Sequence, residues 1–72
     1  MICLIASSRL YASRWASSQH LKDDEWFHPT IPSDIYKYNN FHVITVVDGI
    51  EHMSNYYLNM MLMVAWKQGR KK

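Results

Sequence analysis

The chain opens on an unbroken apolar run, Met1-Ile-Cys-Leu-Ile-Ala6. A run too short for a helix, and without the polar alternation of a half-exposed strand, predicts a strand buried on both faces. Ser7 and Ser8 then offer an N-cap for a helix reaching about Gln19. Tyr11, Ala12, Trp15 and Ala16 fall on one face of that helix, with Arg14 and Ser17-Ser18 largely elsewhere. Lys22-Asp23-Asp24 reads as a turn. Glu25-Trp26-Phe27-His28 reads as a second strand, stopped at Pro29, which has no N–H to give a ladder.

From Pro29 to Asn40 two prolines, Ser33-Asp34 and Asn39-Asn40 predict a loop with one helical turn near Ser33–Tyr38. Phe41–Val47 is dense in β-branched residues and ends at the turn dipeptide Asp48-Gly49, which makes it the clearest strand. Ser54 or Asn55 can cap a last helix running to about Gln68, with Gly69 in the place of a C-cap and cations beyond it. The order of elements predicts an α/β fold: one small domain over 1–68, arranged β-α-β-(loop)-β-α, with a largely parallel three-stranded sheet and two helices. Residues 69–72 form a basic C-terminal tail.

Size changes how that pattern is read. A chain of 72 residues buries only about 60% of the surface that its unfolded form exposes. A single cysteine, Cys3, cannot make an intrachain disulfide, and no Cys/His cluster suggests structural zinc. Yet 49% of residues are hydrophobic and 19% are charged, too apolar for a disordered chain. This excludes a disulfide scaffold, a large multidomain enzyme and a disordered tail. A small apolar chain without staples completes its burial against a protein partner or a copy of itself.

The last helix says where. From Tyr56 to Trp66 every residue but Asn59 is apolar or aromatic. A helix on one face of a three-stranded sheet hides a stripe, not its circumference. Tyr56, Tyr57, Met60, Met61, Met63 and Trp66 are therefore the candidate partner-binding residues, Met and aromatic side chains being typical of adaptable contact surfaces. The competing reading hides the helix between sheet and the loop 29–40. The formal net charge is only +2, but all six acids lie between Asp23 and Glu51, so both ends of the chain are basic. That asymmetry fits steering of a partner, or a solubilising tail and a helix C-terminus that favours cations.

If the first and third strands are parallel neighbours, their carboxyl ends share the edge where open α/β sheets place ligands. Ser7, Ser8, Arg9, Asp48 and His52 collect there as a candidate anion- or nucleotide-binding set. No G-x-G-x-x-G or Walker lysine accompanies them, and capping serines with a turn aspartate account for the same residues. A Ser8–His52–Asp48 triad can be drawn but has no nucleophile elbow, so no catalytic residue is assigned. His20, His28, His42 and His52 lack metal-ligand spacing and read as turn or surface residues. Neither a metal nor a cofactor is expected. Cys3 reads as a small buried hydrophobe. Trp15 and Trp26 fall at core positions, whereas Tyr36 and Tyr38 beside Lys37 suit exposed contact; single-stranded nucleic acid is a possible but not favoured partner. No apolar stretch is long enough for a membrane span, and the chain reads as cytoplasmic. The serine- and arginine-bearing start suggests a third reading, an accessory subunit of a mitochondrial or membrane complex, which requires residues 1–22 to run extended over other subunits.

The opening strand Ile2–Ala6, the Ala-x-x-Trp-Ala helix of Ala12–Ala16, Trp26 near the second strand, the strand Val43–Val47 and the basic ending Lys67–Lys72 together resemble small phage-encoded proteins with a shortened Rossmann-like fold. The resemblance carries no signature motif and transfers no functional residue. It implies a setting, the host cytoplasm, in which a very small viral protein binds a host factor and inhibits or redirects it. The expectation is thus a protein-interaction module acting through its last helix, with a nucleotide- or phosphate-binding protein as the alternative.

Overall fold

Three parallel strands carry the molecule, and the computed structural model describes residues 1–70 of it. β1 spans Ile2–Ile5, α1 Arg9–Ser18, β2 Trp26–Phe27, α2 Pro32–Ile35, β3 His42–Thr45 and α3 Asn55–Gly69, with a single 3-10 turn at Ile50–His52. The sheet order is β2-β1-β3. β1 lies between its neighbours, with Ile2 opposite Trp26 and His42, and Cys3 opposite Phe27 and Val43. The α/β architecture read from the pattern is the one observed. Because the opening residues form the inner strand, they are not an extended arm, and the accessory-subunit reading loses its structural requirement.

Alternation along the strands sorts the interior into two cores. Cys3 and Ile5 of β1, Phe27 of β2 and Val43 of β3 face α2 and α3, where Ile35, Phe41, Met61 and Ala65 close over them. Leu4 and Ala6, Trp26, Ile44 and Val46 face α1, against Ala12 and Ala16. Ala12 and Ala16 are the buried residues that α1 turns to the sheet. Ser8 caps α1 by accepting the Tyr11 N–H, and Ser54 caps α3 by accepting the Tyr57 N–H, as the serines at those places predicted.

Some boundaries differ from the pattern, for physical reasons. β2 keeps only Trp26 and Phe27 in the ladder. The helical turn in the middle loop starts earlier, at Pro32, whose fixed φ suits a first helical position. Gly69 is not a C-cap but the last residue of α3. Its role is proximity: a Cβ there would lie 2.8 Å from the Phe41 carbonyl oxygen and 3.0 Å from its ring. The expected basic tail therefore begins at Arg70; Lys71 and Lys72 lie outside the described residues. No helix among the described residues is long and apolar enough to cross a membrane.

Candidate functional site

α3 follows β3 and returns along the sheet, packing on β1, β3 and α2. Its inner face buries Met61, Ala65 and Gln68, flanked by half-buried Tyr57, Leu58, Leu62 and Val64. The outer face is different. Tyr56 is 77% exposed, Met63 69% and Trp66 53%, with Met60 half-buried beside them. At about 3.6 residues per turn these positions, with Asn59, Lys67 and Arg70, form one continuous stripe. The other exposed large apolar side chains do not share an element: Leu10 is on α1, and Met1, Ile31, Tyr36, Tyr38 and Val47 are in connecting segments or at the chain start, as is ordinary for protein surfaces. α3 carries no acid, so Lys67 and then Arg70 make the stripe positive toward its end.

Two of the six candidate contact residues are placed otherwise. Met61 is 1% exposed and belongs to the core under α3. It cannot touch a partner, because the sheet occupies the half-circumference on which it falls. Tyr57 is half-buried, its hydroxyl donating to the Thr30 carbonyl oxygen and tying α3 to the segment before α2. Burial, and then the nearby Asp34 carboxylate, raise its pKa above the ordinary tyrosine value. Tyr56, Met60, Met63 and Trp66 remain outward. A helix of mixed Met and aromatic residues has no polar phase to show which side faces in, so the sequence identified the helix but not its orientation.

At the carboxyl end of the sheet the five candidate anion-binding residues do not converge. Ser8 is committed to capping α1. The Ser7 hydroxyl oxygen is shut away from solvent without a hydrogen-bond partner, out of a ligand's reach. Asp48 is exposed, and His52 pairs with its neighbour Glu51 at 3.6 Å; no hydrogen bond joins Ser8, His52 and Asp48 among the described residues, and the drawn triad is not assembled. Of the five, Arg9 lines a cavity of about 330 Å³ at the outer edge and carboxyl end of β2 that the other four do not line. Its guanidinium carbon sits 5.1 Å from the centre of the Trp26 ring. Opposite, Lys37 and Tyr38 approach from beyond α2, and His28 completes the wall.

His28 was read as a turn or surface residue. Instead it is half-buried, with Nδ1 3.2 Å from the Leu4 carbonyl oxygen. A carbonyl oxygen only accepts, so Nδ1 is the donor of this contact and the ring is held by the end of β1. Its position directly after an apolar strand pair and before Pro29 was the available signal, since that is where a strand end meets the ligand-bearing edge. Among the described residues no group of His, Cys, Asp and Glu is arranged to hold a metal ion. No protein family, characterised protein or solved structure matches the chain.

Proposed function

We propose that the protein works by stoichiometric binding to another protein, with the outer face of α3 as the contact. The observation that carries this reading is the stripe of exposed Tyr56, Met63 and Trp66, with half-buried Met60 among them, ending in Lys67 and Arg70. Large aromatic and methionine side chains that sit in water lose least and gain most when a partner covers them. Charge selects the partner's chemistry: an apolar groove bordered by carboxylates at the end that receives Lys67 and Arg70, where opposite charge speeds encounter. The likeness to small phage proteins supports a viral setting, with a host protein in the cytoplasm as the partner that is inhibited or redirected.

Met63→Asp places a charge in the centre of the stripe at a position where the fold has no use for the side chain. A partner captured by the wild type and then purified should bind the variant about thirtyfold more weakly or less, as for a central interface residue, with the unfolding midpoint unchanged. Equal affinity of the two forms would remove the reading. Mass measurement of the protein alone separates the other occupant: a dimer dispersed by Met63→Asp assigns the stripe to a second copy and not to a host protein.

A further inference from the structure

The cavity beside β2 is independent of the α3 stripe, and its lining has a chemistry of its own. Arg9 is exposed and has no carboxylate within ion-pair distance among the described residues. Stacked over Trp26, a guanidinium keeps the N–H groups at its planar edge free, and that fork matches a phosphate or carboxylate bidentately. Arg9 is also the first residue of α1, a helix of 10 residues with no acid in its first turn, so the positive end of the helix reinforces the side chain. Lys37 supplies a second cation. Its only ion pair among the described residues is with the half-buried Asp34 at 3.6 Å; the lysine end is exposed to water, and so open a pair is weak enough to yield to a ligand.

The lining also contains two acids, and they narrow the ligand. Asp34 is already engaged: its carboxylate accepts from both the N–H and the hydroxyl of Thr30, contacts that hold its pKa below the usual range. Asp23 is exposed and forms no ion pair among the described residues. A bare anion or a polyanion would meet Asp23 unfavourably, whereas hydroxyl groups would donate to it. The remaining surface is aromatic. Tyr38 stacks on Phe27 with ring centres 4.0 Å apart and keeps 37% of its surface open, a platform for a flat ring. A volume of about 330 Å³ stands at the small end of ligand sites, which run from about 300 Å³ upward. It suits one nucleotide and not a strand.

We propose that this cavity binds a nucleoside monophosphate, with the phosphate on Arg9 and Lys37, sugar hydroxyls on Asp23 and the base over Tyr38. One ligand of this class uses both cations, the free acid and the open ring, which neither a simple anion nor a neutral ring does. His28, with Nδ1 held 3.2 Å from the Leu4 carbonyl oxygen, lines the same cavity.

The test is titration calorimetry of the whole protein with adenosine, cytidine, guanosine and uridine monophosphates, with the parent nucleosides and inorganic phosphate as comparisons. At least one monophosphate is expected to bind at one equivalent, more tightly than its nucleoside or phosphate alone. Arg9→Gln should weaken it about tenfold or more, the loss of hydrogen bonds to a charged group, and Arg9→Lys should weaken it less. Tyr38→Ala should cost a further loss of about the same size. Arg14→Gln, on an exposed part of α1 outside the cavity, should change nothing. Thermal midpoints without ligand report whether each variant is folded; Arg9 is exposed, so its variants keep the test decisive if Tyr38→Ala unfolds. The proposal is overturned by absence of saturable binding to every monophosphate, by binding that ignores Arg9→Gln, or by an equal loss in Arg14→Gln. Met63→Asp should leave nucleotide affinity intact, so failure here is separate from failure of the α3 reading.

Discussion

Cys3 is enclosed completely, between Phe27 and Val43 in the sheet and under α3. Burial keeps its thiol protonated, pushing its pKa from 9.0 up to about 12. The sign of the consequence is fixed by linkage. Above pH 9.0 the unfolded chain loses this proton while the folded chain retains it until about 12, so the unfolded state binds fewer protons there. The contribution is whole below pH 9.0 and is lost as pH rises toward about 12. Urea unfolding of the wild type and of Cys3→Ala across that alkaline window should show the wild type losing stability more steeply. Parallel curves would show that the thiol ionises equally in both states. That Cys3 is core was legible, because it stands inside an uninterrupted apolar run. His20 is the exposed turn residue that the sequence suggests, but its backbone conformation was not legible. It takes a left-handed φ of 58° after α1, while Leu21 N–H reaches the Ala16 carbonyl and His20 N–H the Ser17 carbonyl. Those two bonds make a Schellman ending. A histidine at that place carries none of the signal that glycine would, and the ending is set by Leu21 packing back on the α1 core.

Elements were legible where a single residue type marked a boundary. Serines mark the starts of α1 and α3, and Pro29 and Asp48-Gly49 stand just beyond the ends of β2 and β3; the strand expected over Phe41–Val47 keeps only His42–Thr45 in the ladder. Gly49 has a φ of 74° and the Tyr11 ring pressed against it. Gly69 was the misleading mark. Its position past an apolar helix suits a C-cap, but the structure uses its missing side chain to bring the end of α3 onto the first residue before β3. Gly69→Ala isolates the difference. At an open helical site alanine gains about 1 kcal/mol over glycine. Here its Cβ would press on the Phe41 carbonyl, a backbone atom that cannot swing aside, and overpacking of this kind costs about 1–3 kcal/mol. The expected result is a lower thermal midpoint. A raised midpoint would mean that the contact relaxes and that Gly69 is replaceable. The candidate site divides in the same way. Aromatic and methionine content identified α3, and Arg9 stood at a strand–helix junction, but the cavity needs residues from α1, β2 and the chain beyond α2 together. Spacing along the sequence does not encode that meeting, because the β2-β1-β3 order brings the second strand to an outer edge.

At the scale of the molecule, the two cores lie on opposite faces of the sheet, and all three strands contribute to both, with β1 in the middle. Cys3 and Ile5 lie in one core, Leu4 and Ala6 in the other. Removal of either helical layer would expose one side of the central strand to water, and a chain this short has no second layer to replace it. The two faces should therefore unfold together, in one two-state transition. The tryptophans can report this separately. Trp15 and Trp26 belong to the α1 face, while Trp66 is on α3. With Trp66→Phe, fluorescence reads the α1 face alone; Trp15→Phe with Trp26→Phe leaves only the α3 probe. In each protein the fluorescence midpoint in urea should coincide with that of the far-ultraviolet signal. Met61→Ala, which opens a void under α3 and should cost about 2–5 kcal/mol, should then move the α1-face probe as far as it moves the whole molecule. An α1-face transition that stays in place when Met61 is truncated would mean that the two cores fold independently. β1 would then not couple the side of the sheet under α3 to the side that carries Trp26 and α1.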